Sequence, residues 1–504
     1  MSRHLLAIDQ GTTGSTALVM STDGATLGRA NREFSQHFPQ PGWVEHDADE
    51  IWRSVVESVG EALRAAGVSG NDIGAIGITN QRETTLLWER ATDRPLHRAI
   101  VWQDRRTTEV CERLKAAGHE ERVRDTTGLV LDPYFSATKI AWLLDAVPGS
   151  RARAANGELA FGNIDSFLVW RLAGGAAHQA PHVTDVTNAS RTLLMGLKSL
   201  AWNDEMAALF SVPPALLPRI VDSAGRIAVT RGLDVLPDGI PITGIAGDQQ
   251  AALFGQRCFD KGDVKCTYGT GAFVVMNTGD EIVKSRFGLL ATVGWKIGDR
   301  VVYALEGSCF IAGAAVQWLR DGLGIIRTAA EVETLAKQVP SSDGVVFVPA
   351  LSGLGAPHWD AAARGTIVGL TRGSTRAHLA RATLEAISHQ VDDLIRAMRD
   401  DLGKPISCLR VDGGAAANDV LMQDQSDVSN LVVERPAELE STARGAAMLA
   451  GVGAGFFGSG TDASRMAKVE RKFEPRLTAS DRASRLEAWN DALDRARGRE
   501  RRGR

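Results

Sequence analysis

The residue whose type and surroundings most directly indicate chemistry is Asp248. It lies in the segment Gly244–Gln250, G-I-A-G-D-Q-Q, between a strand-like run and a helix-like run. A carboxylate at a glycine-flanked turn can take a proton from a hydroxyl group. The alternative interpretation is that Asp248 caps a helix beginning at Gln249, and the two roles are compatible. We therefore predict hydroxyl chemistry with Asp248 as the base.

Two Gly/Thr loops far from Asp248 in sequence have the composition of phosphate-binding loops. The first is Asp9–Gly14, D-Q-G-T-T-G, and the second is Tyr268–Gly271, Y-G-T-G. Glycine lets several backbone N–H groups converge on an anion. Four hydroxyl side chains in or beside the loops are further donors: Thr12, Thr13, Ser15 and Thr270. Neither loop has the Walker pattern, and each alone is equally typical of a tight hairpin turn; their matching places in the chain favour phosphate binding.

A metal ion is implied by the carboxylate beside the first loop. Asp9 ends an apolar strand there, and its charge would repel phosphates unless a cation lay between them. Mg²⁺, held through water as it prefers, supplies such a cation. We expect Asp9 and Asp248 to face this ion.

A diglycine is a third candidate for nucleotide contact. Gly413 and Gly414 follow the strand-like run Leu409–Asp412 and precede the helix-like run Ala415–Met422. A strand, a diglycine and a helix form a suitable place for a nucleotide to lie against backbone and a helix N-terminus. An ordinary diglycine turn is the alternative.

An adjacent pair of opposite charges, Arg82 and Glu83, follows the strand-like run Ile76–Thr79. Arginine donates to one hydroxyl oxygen while glutamate accepts from another, so the pair could recognise a vicinal diol. The alternative is a surface ion pair of little energetic value. Trp102 and Tyr134 lie at similar strand or loop ends, either as core aromatics or as walls of the same polyol pocket.

The elements that must position these residues alternate between strand and helix, as in a sheet covered by helices. Leu5–Asp9 and Ser15–Met20 flank the first loop as strands, and apolar residues at every fourth position over 51–63 indicate an amphipathic helix. A similar opening recurs at Val264–Thr267 and Ala272–Met276. This duplication predicts two related α/β domains facing each other across a cleft, with a phosphate loop on each wall.

The predicted domains are a polyol-binding domain over 1–254, a nucleotide-binding domain over 255–455 and a helical extension over 456–504. The last predicted helix, Ser480–Arg497, is expected to be a peripheral appendage, and the basic tail Arg495–Arg504 a frayed, solvated terminus.

Composition excludes several classes of protein. The 504-residue chain has a net charge of −4, which gives no general attraction to nucleic acid. No apolar run is long enough to span a membrane, and the N-terminus enters a strand pattern without a signal sequence. Its five dispersed cysteines are typical of free thiols in a reducing compartment rather than of a zinc site. We therefore expect a cytoplasmic protein.

These residues and motifs closely resemble those of the glycerol kinases, within the FGGY carbohydrate kinase family. The match extends from about Leu5 to Gly451. Beside the motifs above, the segments that carry it are Pro41–Asp47, Thr187–Thr192, Gly353–Pro357 and the two family-wide patterns Tyr134–Asp145 and Gly365–Glu385.

The resemblance implies an α/β fold of two ribonuclease-H-like, actin-like ATPase domains that close around ATP and glycerol across an interdomain cleft. It also implies Mg²⁺ as the metal, ATP-dependent formation of sn-glycerol 3-phosphate as the first step of glycerol catabolism, and a homodimer or homotetramer. The expected glycerol-binding residues are Arg82, Glu83, Trp102, Tyr134, Asp248, Gln249 and Phe273. The expected nucleotide-binding residues are Thr12, Thr13, Gly14, Ser15, Thr270, Gly313, Gln317, Gly414 and Asn418.

The chain departs from the family pattern at two places. Many members carry Ser-Ser-Arg after Gly-Thr-Thr, whereas this chain has Gly14-Ser15-Thr16, with one cation and one hydroxyl fewer near the phosphates. Leu233–Pro241, at the place of a fructose 1,6-bisphosphate loop in some bacterial members, has no Arg or Lys, so that regulation is expected to be absent. Two other interpretations stay open: a kinase of another small polyol or sugar, and an actin- or chaperone-like protein that uses ATP as a switch.

Overall fold

The computed structural model describes residues 4–497 of the chain. Part of the basic tail, residues 498–504, therefore lies outside the described residues. Two large mixed sheets, one from each half of the chain, form the framework.

The first half, from residue 4 onward, contains fourteen strands and nine α-helices. Its strands are β1 (His4–Gln10), β2 (Gly14–Met20), β3 (Thr26–Glu33), β4 (Glu45–His46), β5 (Ile73–Asn80), β6 (Leu86–Glu89), β7 (Ala99–Ile100), β8 (Leu159–Gly162), β9 (Val183–Asp185), β10 (Met195–Gly196), β11 (Ala201–Trp202), β12 (Arg219–Val221), β13 (Ala224–Val229) and β14 (Pro241–Gly247). Its helices are α1 (Ala48–Ala66), α2 (Thr108–Ala116), α3 (Glu120–Thr127), α4 (Ser136–Ala146), α5 (Ser150–Ala155), α6 (Ile164–Leu172), α7 (Val186–Ala189), α8 (Asp204–Leu209) and α9 (Asp248–Gly255).

The second half, as far as residue 497, contains nine strands and seven α-helices. Its strands are β15 (Val264–Tyr268), β16 (Ala272–Gly279), β17 (Leu290–Ile297), β18 (Arg300–Cys309), β19 (Val346–Val348), β20 (Thr366–Val368), β21 (Cys408–Asp412), β22 (Val432–Pro436) and β23 (Val469–Phe473). Its helices are α10 (Gly313–Asp321), α11 (Glu331–Ala336), α12 (Arg376–Leu402), α13 (Asp419–Ser429), α14 (Ser441–Gly453), α15 (Gly460–Ala463) and α16 (Ala479–Ala496).

The two sheets share a core of five strands with the same order and directions, β3-β2-β1-β5-β14 in the first and β18-β16-β15-β21-β22 in the second. The first sheet has the order β13-β14-β5-β1-β2-β3 and the second has the order β17-β18-β16-β15-β21-β22-β23. In the first, β1 pairs antiparallel with β2 and parallel with β5, and β5 pairs parallel with β14. In the second, β15 pairs antiparallel with β16 and parallel with β21, and β21 pairs parallel with β22. The duplication predicted from the sequence is therefore confirmed.

Local sequence explains how the first sheet is covered. The β1 residues from Leu5 to Ile8 are buried on both faces of the strand, as expected for a central strand with helices on either side. Helix α1 buries its stripe of Ile51, Val55 and Val59, and the Asp47 carboxylate caps its N-terminus by accepting from two backbone N–H groups. The amphipathic helix predicted from the sequence is thus present.

Two helices lie across the boundary between the domains. Helix α9 follows β14 of the first sheet and packs against β15, β16 and β17 of the second as well as against β5 and β14 of the first. Helix α14 follows β22 of the second sheet but packs against β1, β5 and β14 of the first, and the two helices also pack on each other. The predicted boundaries at 254 and 455 stay predictions, since α14 belongs by sequence to the second domain and by packing to the first.

Helix α16 is a correction to the sequence analysis, which expects a peripheral appendage. Trp489 and Leu493 are buried in a cluster with Phe347 and Val348 of β19. The Trp489 Nε1–H donates to Asp393 of α12 at 2.9 Å. The last helix is therefore part of the second domain's core. Across residues 4–497, no helix has the length and apolar content needed to cross a membrane.

Candidate active site

Both Gly/Thr loops are β-hairpin turns at the same place in their sheets. The first joins β1 to β2, with the Gly11 N–H donating to the Gly14 carbonyl at 2.9 Å. The second joins β15 to β16, with the Gly269 N–H donating to the Gly271 carbonyl at 2.9 Å. Thr13 and Thr270 at the tips are exposed. A hairpin turn can also bind phosphate, because the exposed tips leave backbone N–H groups and hydroxyl groups free to donate hydrogen bonds.

The second loop meets a helix N-terminus and the diglycine. The Gly313 N–H at the start of α10 donates to the Gly269 carbonyl at 3.0 Å. Gly413 has a φ of +83°, and a Cβ there would lie 2.5 Å from the Tyr268 carbonyl oxygen. This close approach requires glycine and places exposed Gly414 beside the loop. Three predicted nucleotide contacts, far apart in sequence, are therefore neighbours.

Two more predicted nucleotide residues extend this surface. Gln317 is exposed one turn along α10. The Asn418 Oδ1 accepts the Leu421 N–H at 2.9 Å and caps α13. Asn418 thus stabilises the N-terminus of α13, the helix that follows the diglycine.

Ser15 is the predicted nucleotide residue that the structure does not bring to the phosphate side. Its side chain is fully buried, and its hydroxyl lies 2.8 Å from the Ser54 hydroxyl of α1. The strand alternation turns Ser15 away from the loop, because successive side chains in β2 point to opposite faces. Only Thr12, Thr13 and Gly14 of the first loop remain placed for the nucleotide.

Arg82 is at the centre of the predicted polyol site. Its Nε lies 3.2 Å from Asp248 Oδ1, and its Nη2–H donates to the Tyr134 hydroxyl at 3.3 Å. The Arg82 and Glu83 side chains are 2% and 1% exposed, so the surface ion-pair interpretation is wrong. Glu83 adopts a left-handed φ of +60°, an uncommon conformation for a residue other than glycine.

Trp102 connects the polyol residues to the first loop. Its ring meets the Tyr134 ring edge-on, with centroids 5.7 Å apart. Its Nε1–H donates to the Thr12 hydroxyl at 3.0 Å. Neither aromatic residue is fully buried, so both present surface to the cleft.

The second domain contributes a face to the same site. Lys265 and Thr267 of β15 are two residues apart and share a face of the sheet, and Phe273 of β16 lies directly opposite Thr267. The fully buried Lys265 ammonium donates to the Gln249 side-chain oxygen at 2.5 Å. Phe273 therefore lies on the face of the second sheet that meets α9.

Asp248 is the first residue of α9, and Gly247 occupies the cap position. The Asp248 Oδ1 accepts the N–H of the next residue, Gln249, at 2.7 Å and forms an ion pair with Arg82. The cap interpretation is therefore wrong, because a helix-capping side chain precedes the helix and reaches two or three residues ahead. The Asp248 side chain is 33% exposed beside a buried Arg82, an arrangement that leaves it open to a substrate.

The region around Asp9 is suited to a cation. Burial, reinforced by the charges of Glu440 and Asp248, holds the pKa of Asp9 well above its usual range. Within residues 4–497, no group of three or more Asp, Glu, His or Cys side chains is arranged to hold a metal ion by itself. These carboxylates suit an ion whose remaining ligands are water and phosphate, as Mg²⁺ prefers.

Three charged residues at the site were missed by sequence reasoning: Arg191, Lys265 and Glu306. Glu306 of β18 accepts from Arg82 Nη1 at 2.5 Å and from Arg191 Nη2 at 2.9 Å. Although burial alone would raise it, these two guanidinium groups hold the pKa of Glu306 at about 2. Burial lowers the pKa of Lys265, against the opposing effect of Asp412 and other carboxylates.

A sequence signal for two of them was available. Lys265 and Glu306 each interrupt an apolar run that reads as a strand, at Val264–Cys266 and Leu305–Gly307. A charged residue in a central strand is rarely buried without a partner. Their partners Gln249, Arg82 and Arg191 are in the first half of the chain, so only the fold identifies these partners.

Comparison with known proteins identifies the family. The sequence profile of the FGGY family of carbohydrate kinases, N-terminal domain, matches residues 4–255, and that of the C-terminal domain matches residues 264–454. A glycerol kinase from Myxococcus xanthus is 56% identical over 497 residues, covering 98% of this chain and 99% of that protein. One from Bordetella pertussis is 55% identical over 501 residues, covering 99% of this chain and 98% of that protein.

Solved structures agree with these matches. The structure of Plasmodium falciparum glycerol kinase with ADP superposes with a TM-score of 0.91 at 35% identity, covering 98% of each chain. The xylulose kinase of Lactobacillus acidophilus, at a TM-score of 0.85 and 21% identity over 98% of this chain and 97% of that one, shares the fold. The predicted fold class of two actin-like α/β domains is thereby confirmed. Profiles for both domains and full-length relatives agree, and the chain belongs to the FGGY family of carbohydrate kinases.

Proposed function

We propose that this protein is an ATP-dependent glycerol kinase that converts glycerol and ATP to sn-glycerol 3-phosphate and ADP. The main observation behind the proposal is that Arg82 contacts both Asp248 and Tyr134, at 3.2 and 3.3 Å. The same cleft contains two loops with the composition of phosphate-binding loops. Full-length relatives named glycerol kinase, such as the 56% identical protein of Myxococcus xanthus, support the choice of glycerol. The protein thereby catalyses the first step of glycerol catabolism.

Three side chains recognise the glycerol hydroxyls. Arg82 donates to one hydroxyl oxygen, Glu83 accepts from a second hydroxyl, and the Tyr134 hydroxyl can do either. Trp102 and Phe273 cover the carbon face from opposite domains. Gln249, whose side-chain oxygen is engaged by Lys265, offers its amide N–H groups.

Asp248 is the base for the attacking hydroxyl. A bond forms between that oxygen and the γ-phosphorus while the bond from phosphorus to the β-bridging oxygen breaks, and ADP leaves. The hydroxyl proton passes to the Asp248 carboxylate late in this step, when the oxygen has become acidic. Asp248 can approach the substrate because a third of its side chain is exposed.

Backbone N–H groups and hydroxyl groups at the exposed tips of the two hairpin loops stabilise the phosphate oxygens. Asp9 and Asp248 would hold Mg²⁺, which, when bound, neutralises charge on the transferred phosphoryl group. ATP itself lies against Thr270, Gly313, Gln317, Gly414 and Asn418. Closure of the two domains around a bound polyol excludes water, which would otherwise accept the phosphoryl group.

A coupled assay of ADP release with glycerol, xylulose, ribulose and gluconate tests the proposal. Glycerol is expected to give the highest kcat/KM, and phosphorus NMR is expected to show glycerol 3-phosphate. Faster turnover of a longer substrate would favour the other polyol or sugar kinases of the family. The absence of any polyol-dependent ADP release would instead favour a nucleotide-dependent binding protein.

The proposal extends to assembly and location. The protein works in the cytoplasm as a homodimer or homotetramer, as the resemblance to glycerol kinases implies. Light scattering of the purified protein is expected to give two or four times the chain mass of 53.9 kDa. A mass of one chain at assay concentrations would contradict the assembly but not the activity.

A further inference from the structure

Two of the polyol residues belong to a cluster of four buried charges, Arg82, Glu83, Arg191 and Glu306, which we call the charge quartet. Glu306 comes from β18 of the second sheet and accepts from both terminal nitrogens of Arg82, at 2.5 and 2.9 Å. Arg82 follows β5 of the first sheet. This two-point ion pair therefore links the two domains at the substrate site.

Arg191 completes the quartet from the side of the first domain. Its Nε–H donates to Glu83 at 2.7 Å and its Nη2–H donates to Glu306 at 2.9 Å. Its guanidinium carbon lies 5.7 Å from the centre of the Tyr134 ring. Each of the three polyol-recognising side chains is thus in contact with Glu306 or Arg191.

Burial makes these contacts mutually dependent. No side chain of the quartet is more than 2% exposed, so water cannot replace a lost partner, and removing one charge leaves another unpaired. Because Glu306 holds both terminal nitrogens of Arg82, the remaining Nε is the one directed to Asp248, at 3.2 Å. The orientation of Arg82 toward the reacting hydroxyl is set by Glu306.

We infer that Glu306 and Arg191 are positioning residues: they hold Arg82 and Glu83 in the orientation that binds the polyol, and they make polyol affinity depend on contact between the two domains. The inference rests on the proposed function, since it assigns these residues a part in glycerol binding. An ordinary structural ion-pair cluster would affect folding and nucleotide binding as much as polyol binding.

The first test is Glu306→Gln, which keeps the shape of the side chain and removes its charge. Loss of a charge-assisted contact corresponds to about a tenfold to hundredfold change. The glycerol KM is expected to rise by that factor, with a smaller fall in kcat and an unchanged ADP dissociation constant. Equal losses in glycerol and ADP affinity, or an unchanged glycerol KM, would overturn the inference.

A double-mutant cycle with Arg82→Ala shows whether Glu306 acts through Arg82. In that background Glu306→Gln is expected to change kcat/KM for glycerol by less than about twofold, because coupled residues are not additive. Independent, multiplying effects of the two substitutions would contradict a positioning role.

A second variant and a control keep the test decisive. Arg191→Lys retains the charge but cannot contact Glu83 and Glu306 together, so it is expected to raise the glycerol KM as well. Arg122→Gln breaks an exposed ion pair with Glu205 and should change nothing. Failure of both quartet variants to fold, judged by circular dichroism, would assign the quartet to stability alone and overturn the inference.

The outcomes separate the inference from the proposed function. A wild-type protein that does not phosphorylate glycerol contradicts the proposed function itself. An active wild-type protein whose Glu306→Gln variant keeps its glycerol KM contradicts only the positioning role.

Discussion

At the scale of single residues, the site depends on a contrast in exposure. Arg82 is 2% exposed and is held by Glu306, Tyr134 and Asp248, whereas Asp248 is 33% exposed with few partners of its own. A fixed cation beside a partly exposed carboxylate orients the carboxylate while leaving it accessible. That combination suits a base which receives one proton per turnover.

Replacing Asp248 by Asn removes the proton acceptor and keeps the shape of the side chain. Turnover of glycerol is expected to fall by about 10²- to 10⁴-fold, the usual contribution of a general base. Steady-state kinetics measures the loss, and calorimetric titration with ADP is expected to show unchanged nucleotide binding. Turnover within a few-fold of the wild type would reject the base role.

Lys139 of α4 is a buried charge that the proposed mechanism does not use. Its ammonium donates to the backbone carbonyls of Pro133 and Tyr134, at 3.2 and 2.5 Å. Lys139 therefore supports the turn that presents the Tyr134 side chain to the cleft.

Lys139 predicts a pH dependence of stability. Burial lowers its pKa from 10.5 to about 7, although Glu83 and Asp104 act in the opposite direction. Between about pH 7 and 10.5 the unfolded chain binds the proton and the folded chain does not, so this group makes folding more favourable as pH rises. Chemical denaturation at pH 7, 8 and 9 should show the wild type gaining stability relative to Lys139→Met.

The control for that series is Lys284→Met, at a lysine whose side chain is 61% exposed. Its stability difference from the wild type should not vary with pH. Parallel pH profiles for the wild type and Lys139→Met would show that Lys139 keeps its ordinary pKa in the folded protein.

At the scale of elements, the crossing of α9 and α14 joins the two domains without a separate linker. Small residues permit the crossing: a Cβ on Gly445 would collide with the Ala251 carbonyl, and a Cβ on Gly255 would collide with the Ser441 carbonyl. Helix α9 also begins with Asp248. The packing of these two helices therefore sets the position of Asp248, the proposed base, relative to both sheets.

Gly445→Ala tests the helix crossing. The added methyl group must displace backbone rather than a flexible side chain, so destabilisation of about 1–3 kcal/mol or more is expected. Thermal unfolding measures it, with Gly458→Ala as the matched control, since a Cβ there meets nothing within 4 Å. Equal melting temperatures for the two variants would show that the helices can move apart at no cost.

At the scale of the whole molecule, the cleft is lined by corresponding elements of a duplicated topology. The hairpins after β1 and β15 bring a loop from each sheet, and the charge quartet joins the sheets at the proposed polyol site. The second domain is completed only by α16, the last described helix of the chain. Trp489 stacks on His389 of α12 with ring centres 5.1 Å apart.

Trp489→Ala is expected to destabilise the protein by about 3–5 kcal/mol, as for other large buried aromatic residues. Trp359→Ala is the matched control, because Trp359 is 46% exposed. Denaturant unfolding compares the two variants. A Trp489 variant as stable as its control would restore the interpretation of α16 as a peripheral appendage.

The sequence by itself determined the parts that depend on local pattern. Glycine-rich turns after apolar strands located both hairpin loops, their recurrence revealed the duplication, and family motifs led to Arg82, Glu83 and Asp248. These signals can be recognised from the sequence alone because strand periodicity and turn formation depend on residues that are close together in the chain.

Only the tertiary structure decided which side chains meet. In the folded chain the Ser15 side chain contacts α1, and Asp248 is the first residue of α9 and not its cap. Helices α9 and α14 pack across the boundary between the two sheets, and Glu306 pairs with Arg82, 224 positions away in sequence. The physical reason is that strand register and long-range packing set side-chain direction, and a buried charge requires a partner whose position depends on the whole fold.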